Sequence, residues 1–259
     1  MLLPVERRHE ILSVVQEKKG ATCAELCERF GVSPGTIRND LEALERMGAI
    51  KRTHGGAVLP DFMLMQGKAM RFKEREVINA PIKNRIGETA ARLVQPGESV
   101  FIDGSTSSFF VAKHLRDLEN ITVVTNAERV VLELGKEDHI RIICTGGLLR
   151  KENMSYVGET AEKRIKDEFF TDKMFFSCYG ISREFGIFDA TESEAGVKRA
   201  MFASTKNRIL LCDSTKFDKI GFPKLTEFKT VNMLVTDRAP APQWQEFFRK
   251  NQIEVLIAE

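Results

Sequence analysis

The sequence predicts an α/β protein in two parts: a small N-terminal helical head closed by a β hairpin, and a larger domain built on a mainly parallel sheet. Three observations predict it. A short helical stretch, a glycine turn and a longer capped stretch follow one another before Gly48. A Gly55-Gly56 pair then interrupts a short β pattern. Beyond Pro81, short apolar runs alternate with amphipathic stretches, as strands do when helices join them.

The chain has 259 residues, 42% hydrophobic and 29% charged, which suits a soluble globular protein of one large or two modest domains. Its formal net charge is +2, and the first 58 residues carry nine cations against eight anions. No global basic field marks a nucleic-acid binder, so any such affinity must come from where charges are placed. Cys144, Cys178 and Cys212 fall in or beside apolar strand-like runs and read as buried thiols. Cys23 and Cys27 lie four apart on an expected helix, but no further His or Cys completes a site, so neither a metal nor a cofactor is expected. Met1-Leu2-Leu3-Pro4 runs at once into charge, and no apolar run is long enough to cross a bilayer. The expected compartment is the reducing cytoplasm, with no membrane partner.

Glu6 to Lys19 reads as the first helix, with Ile11, Leu12 and Val15 apolar and Gly20 ending it. Thr22 and Glu25 have capping-box spacing, so a short second helix runs through Leu26 and Phe30. Gly31 makes the turn into Val32-Ser33. Ser33 is a good N-cap, and Pro34 occupies a first turn that has no use for an N–H. Ile37, Leu41 and Leu44 recur at i, i+4 and i+7, so one side of the third helix packs on a core. Gly48 stops it, and the hairpin follows. Together these elements have the winged helix-turn-helix layout.

Gly35, Asn39, Glu42 and Arg46 point away from that core, flanked by Thr36 and Arg38. A small polar first turn with Arg and Asn behind it suits a DNA major groove. Gly35 permits close backbone approach, Arg takes phosphate or guanine, and Asn takes adenine. An ordinary amphipathic core helix shows most of the same features. On the DNA reading, the contacting residues are Ser33, Gly35, Thr36, Arg38 and Asn39, joined by Arg52 and His54 of the wing.

Leu59 to Ala80 lacks a clean period and reads as a linker with some helical character. The expected organisation is therefore a head at 1–58, a linker at 59–80 and an α/β domain at 81–259. In that domain Ile82, Ile86, Ala90, Leu93 and Val94 mark a helix ending at Pro96-Gly97. Strands are expected at 99–103, 121–125, 140–145, 173–178, 208–213, 231–237 and 253–258. Helices are expected at 107–118, 128–136, 158–168, 193–207 and 242–251.

In such sheets ligands bind beyond the carboxyl ends of the strands. The residues there are Asp103, Gly104, Ser105, Thr106 and Ser107 after the first strand and Thr125 and Asn126 after the second. Gly146 and Gly147 follow the third, and Ser214, Thr215 and Lys216 follow the strand at 208–213. Gly and hydroxylic residues at a helix N-terminus offer N–H groups and hydroxyls to a phosphate, and Lys216 offers a point charge. Each of these alone is equally a cap, a turn or a surface lysine. On one edge of one sheet they favour an anionic polar ligand.

Ser33-Pro34-Gly35-Thr36-Ile37-Arg38-Asn39-Asp40-Leu41, followed by His54-Gly55-Gly56-Ala57, resembles the DeoR-type family of bacterial transcriptional repressors. That family usually carries a second Arg where this chain has Asn39. The likeness continues through Arg71 to Glu76, Asp103 to Ser107, Thr125-Asn126-Ala127, Gly146-Gly147, Gly158, Glu194 to Met201 and Asp213 to Phe217. The family's usual glycine in the first loop is replaced here by Ser105. The resemblance implies a sensor domain similar to the sugar-phosphate isomerases related to ribose-5-phosphate isomerase. It implies a repressor of a sugar-catabolic operon that binds double-stranded operator DNA and is released by a phosphorylated sugar or sugar alcohol. An operator with two half-sites needs two heads, so a homo-oligomer is expected. The competing reading is a sugar-phosphate isomerase or deaminase with an appended DNA-binding module, for which Asp103, Glu192 and Glu194 are the available acids. Nothing in their spacing marks a base, so no enzymatic activity is expected.

Overall fold

The computed structural model describes residues 2–18, 20–47, 49–53, 55–58 and 70–259. Gly48, His54 and the segment 59–69 lie outside the described residues, so the expected helix stop, one wing residue and the first half of the linker are not placed.

The head runs α1 (Pro4–Lys18), β1 (Gly20–Thr22), α2 (Cys23–Phe30), α3 (Pro34–Arg46), β2 (Lys51–Thr53) and β3 (Gly56–Val58). Thr22 and Glu25 form the reciprocal capping box that starts α2, and Gly31 ends it in the left-handed conformation at φ 61°. The Ser33 hydroxyl accepts from the Thr36 N–H and starts α3 with Pro34 in its first turn. The wing holds one strand more than its sequence suggests, in the order β1-β3-β2. Gly56 is required there, because a Cβ on it would lie 2.1 Å from the Ala21 carbonyl oxygen. Ile11, Val15, Leu26, Ile37 and Leu44 are buried between the helices.

The remainder runs α4 (Phe72–Val77), α5 (Ala80–Ala91), β4 (Ser99–Ile102), α6 (Thr106–Lys113), β5 (Ile121–Thr125), α7 (Glu128–Leu134) and β6 (Ile140–Cys144). Next come β7 (Leu148–Arg150), β8 (Ser155–Val157), α8 (Glu159–Glu168), β9 (Thr171–Ser177), β10 (Gly180–Ser182), β11 (Gly186–Phe188) and α9 (Glu192–Ala203). The chain closes with β12 (Thr205–Leu211), β13 (Lys224–Thr226), β14 (Met233–Thr236), α10 (Pro242–Lys250) and β15 (Glu254–Ile257).

Among the described residues, seven strands form one sheet in the order β15-β14-β12-β9-β4-β5-β6, with every neighbouring pair parallel. Helices cover both faces, so consecutive residues of a strand are buried on opposite sides. Val100, Ile102 and Phe175 enter one core, while Phe101 and Phe176 enter the other. Two antiparallel additions have no counterpart in the sequence reading: the β7–β8 hairpin and a small β10-β11-β13 sheet. The helix expected through residue 207 ends at Ala203. From Thr205 the chain pairs with β9 instead, opposite Thr171, and the two threonine hydroxyls bond at 2.9 Å. Sheet pairing there overrides local helical pattern.

The described end of the linker belongs structurally to the α/β domain. Phe72 is 2% exposed, sits edge-on to Phe109, and its N–H donates to the Glu152 carbonyl at 2.7 Å.

Candidate functional site

The sheet runs outward in both directions from the β9–β4 pair: β4, β5 and β6 one way, and β9, β12, β14 and β15 the other. This is a topological switch point, where the chain leaves a crevice beyond the strand ends. A cavity of about 450 Å³ lies there. Gly104, Ser105 and Thr106 line it after β4, Ser177 and Cys178 at the end of β9, and Asp213, Thr215 and Lys216 after β12. Arg75 of α4 and Lys83 of α5 close it from above, and Asp189, Glu194 and Lys198 complete the wall.

At the centre stands Lys198, 4% exposed, whose Nζ is 2.9 Å from Asp103 and 2.7 Å from Asp189. Its Nζ also donates to the Ser177 carbonyl at 2.7 Å. Burial works against its charge, but Asp103 and Asp189 more than offset that, and its pKa is raised. Burial likewise works against the Asp103 carboxylate, but Lys198 and hydrogen bonds from Ser105 and Ser108 hold its pKa below the usual carboxylate value. Asp103 also accepts the N–H groups of Ser105 at 3.0 Å and Ser177 at 3.2 Å. It therefore fixes the first loop and the end of β9 from behind the cavity wall.

One side of the cavity is cationic. The Lys83 ammonium, on a residue 5% exposed, donates to the Arg75 carbonyl at 2.5 Å. Its pKa is pushed down to about 8 by burial and by Lys216 and Arg75. Lys216 donates to the Ser177 hydroxyl at 2.6 Å. Cations held together in one cavity repel one another, and a negatively charged group between them would relieve that repulsion. A polar chain starts from Arg75, which joins it to those cations: Arg75 donates to Asn153 at 2.8 Å, Asn153 to Glu194 at 2.8 Å, and Ser155 to Glu194 at 2.5 Å. Burial raises the Glu194 pKa against those two hydrogen bonds. This chain offers donors and acceptors to hydroxyl groups.

The remaining expected residues sit elsewhere. Ser107 is 2% exposed behind the lining. Thr125 donates to the Ile102 carbonyl and accepts from the Ala127 N–H, tying β5 to β4. Asn126 donates to the Tyr156 carbonyl at 3.0 Å. Gly146 and Gly147 form a left-handed turn after the edge strand β6. None of these five is in the cavity lining. The sequence reading did not single out Arg75, Lys83, Asp189 and Lys198. A signal existed for two of them. Lys83 is three and seven residues from Ile86 and Ala90, and Lys198 lies among Ala195, Val197 and Met201, so each is a charge where the period predicts an apolar side chain.

A second candidate surface lies on the head. Ile37, Leu41 and Leu44 are buried, while Gly35, Arg38, Asn39, Glu42 and Arg46 of α3 are exposed. Ser33 and Arg52 are exposed too, and Thr36 is half-buried. The helix is held from behind by the buried Arg7–Asp40 pair at 2.6 Å. Among the described residues, no helix is long and apolar enough to cross a membrane.

Two family models match the chain over most of its length. A DeoR-like helix-turn-helix domain matches residues 7–62, and a DeoR C-terminal sensor domain matches residues 78–238. The HTH-type transcriptional repressor GlcR of Bacillus subtilis is 33% identical over 254 residues, covering 98% of this chain and 96% of its own. The HTH-type transcriptional regulator GolR of Listeria innocua is 31% identical over 258 residues, covering all of both chains. Among solved structures, a ribose 5-phosphate isomerase A of Methanocaldococcus jannaschii overlaps 54% of this chain and 55% of its own, with a TM-score of 0.40 at 10% identity.

Proposed function

This chain belongs to the DeoR family of DNA-binding transcriptional regulators, and from that premise we propose that it represses a sugar-catabolic operon and leaves its operator when a phosphorylated sugar or sugar alcohol fills the cavity beyond β4, β9 and β12. The observation that carries the ligand class is the cationic cluster of Arg75, Lys83 and Lys216 in a cavity that also holds a chain of hydrogen-bonding groups. A phosphate fits beside Lys83 and Lys216, with the N-terminus of α6 at Ser105 and Thr106 adding N–H groups. The sugar hydroxyls then face Asp189, Glu194 and Asn153. Asp103 acts on the ligand through Lys198.

The cavity is a binding site rather than a catalytic one on this reading. The Asp103 carboxylate is paired with Lys198 and its pKa is held low, which weakens it as a base, while the Glu194 carboxylate, more basic through burial, is engaged by hydrogen bonds from Asn153 and Ser155. An aldose–ketose interconversion assay that shows turnover would reverse that conclusion.

Operator recognition falls to Ser33, Gly35, Thr36, Arg38 and Asn39 of α3, with Arg52 of the wing. Two half-sites require two heads, so the working protein is a homo-oligomer. The direct test of the ligand class is a thermal-shift screen of sugar phosphates against the matching free sugars, since a ligand bound by the folded state raises the melting temperature. Stabilisation by free sugars alone would refute the phosphate assignment.

A further inference from the structure

The head does not close its own core. Phe185, Phe188 and Ile220, none more than 3% exposed, come from the α/β domain and complete the cluster around Ile11, Val15, Ile37 and Leu41. The His9 ring lies 4.1 Å from that of Phe185, and its Nε2 is 3.1 Å from the Glu184 carbonyl. Arg8 pairs with the Glu184 carboxylate at 3.2 Å. The Ile220 N–H donates to the Met47 carbonyl at 3.3 Å, directly at the C-terminal cap of α3.

The two segments that make these contacts also wall the cavity. Asp189, next to Phe188, pairs with the central Lys198. Lys219 and Gly221, on either side of Ile220, line the cavity, and Phe222 touches both cavity and head core. Adjacent residues of an extended chain point to opposite sides, so the partition here is one backbone thick. Its two pieces are strapped together without slack. The Lys219 backbone N–H donates to the Ile181 carbonyl at 3.1 Å. A Cβ on Gly180 would lie 2.5 Å from the Lys219 carbonyl oxygen, and one on Gly221 would lie 2.9 Å from that of Asp189.

We propose that the strap formed by residues 180–190 and 217–222 couples filling of the cavity to docking of the head, so that ligand and operator are linked through one element. This rests on the ligand reading above. A ligand that draws Asp189 or Lys219 inward moves Phe188 and Ile220 with them, because a close-packed partition cannot absorb the shift. Coupling of this kind is reciprocal: loosening the head's seat must change ligand affinity, although the altered residue touches no ligand.

The test uses the full chain, with D-glucose 6-phosphate and inorganic phosphate as probes in calorimetry. The variants are Glu184→Ala and Phe185→Leu, neither in the cavity lining nor on the exposed face of α3. Affinity for a bound probe is expected to change about five-fold or more. In the wild type, saturation with probe should also change hydrogen exchange in α1 and α3, and the variants should lose that response. Arg8→Ala, which removes only the ion pair, keeps the test open if Phe185→Leu fails to fold. Unchanged affinities, with head exchange indifferent to a probe that binds, overturn the coupling alone. Failure of the wild type to bind either probe or any other sugar phosphate of the thermal-shift panel overturns the ligand reading and the coupling with it.

Discussion

Lys83 shows what a single residue contributes here. Its ammonium is buried beside Lys216, and its pKa is lowered from 10.5 to about 8. Below that value it is charged and, on the proposed reading, holds the phosphate; above it the charge is lost. A sugar phosphate keeps its second charge above about pH 7, since that pKa is near 6. Affinity should therefore fall between about pH 7 and about pH 9 in the wild type and stay flat in Lys83→Met, as calorimetry at each pH would show. The same lowered value has a stability consequence. Between about 8 and 10.5 the unfolded chain holds a proton on Lys83 that the folded chain has lost, so this group makes stability rise with pH across that window. Lys198 behaves oppositely, because its charge is compensated. Lys198→Met leaves Asp103 and Asp189 buried without their cation and should cost about 3–5 kcal/mol in chemical denaturation. Adding Asp103→Asn should recover part of that loss. Both lysines stand at positions where helical period calls for an apolar side chain, which marks them in the sequence as residues with a partner but does not name it.

At the scale of elements, α3 was legible almost to its ends. Cap, proline and apolar spacing are all local, and local terms decide where a helix starts. Ser33→Ala removes the hydroxyl that accepts from Thr36 and should lower stability by about 1 kcal/mol. The outward face of α3 sets the operator sequence on the proposed reading. Asn39→Arg is expected to change the motif recovered from random DNA while leaving affinity for nonspecific DNA within a few-fold of wild type. An unchanged motif would remove Asn39 from base reading. The strand β12 was less legible. Its first residues follow α9 with only Ser204 between, and pairing with β9 decides where helix yields to strand. The β10-β11-β13 sheet was not legible at all, since its three-residue strands are too short to show a period.

For the whole molecule, the unit to isolate begins before Pro81. Phe72 fills the α/β core and Arg75 reaches the cavity. A fragment starting at Met70 should be more stable than one starting at Pro81 by about 3 kcal/mol, near the cost of deleting a buried Phe, and should bind sugar phosphate more tightly. Equal melting temperatures would show that α4 is dispensable. Light scattering on the full chain should give a mass of at least two subunits, because a two-half-site operator engages two heads.

By itself, the sequence determined the elements whose causes are local and the class of chain they belong to: the capped helices, the glycine-dependent wing, the alternation of strand and helix, and the run of Gly, Ser and Thr after β4. It also determined the family, because the motifs that carry it are contiguous. Only the tertiary structure decided which strand ends meet. The order β12-β9-β4 brings Lys216, Ser177 and Gly104 to one cavity and leaves Thr125, Asn126, Gly146 and Gly147 outside its lining. It also placed Arg75 and Lys83 over that cavity and seated the head on Phe185, Phe188 and Ile220. These juxtapositions join residues far apart in the chain, and they arise from burying both faces of one sheet, a constraint that no local window of sequence contains.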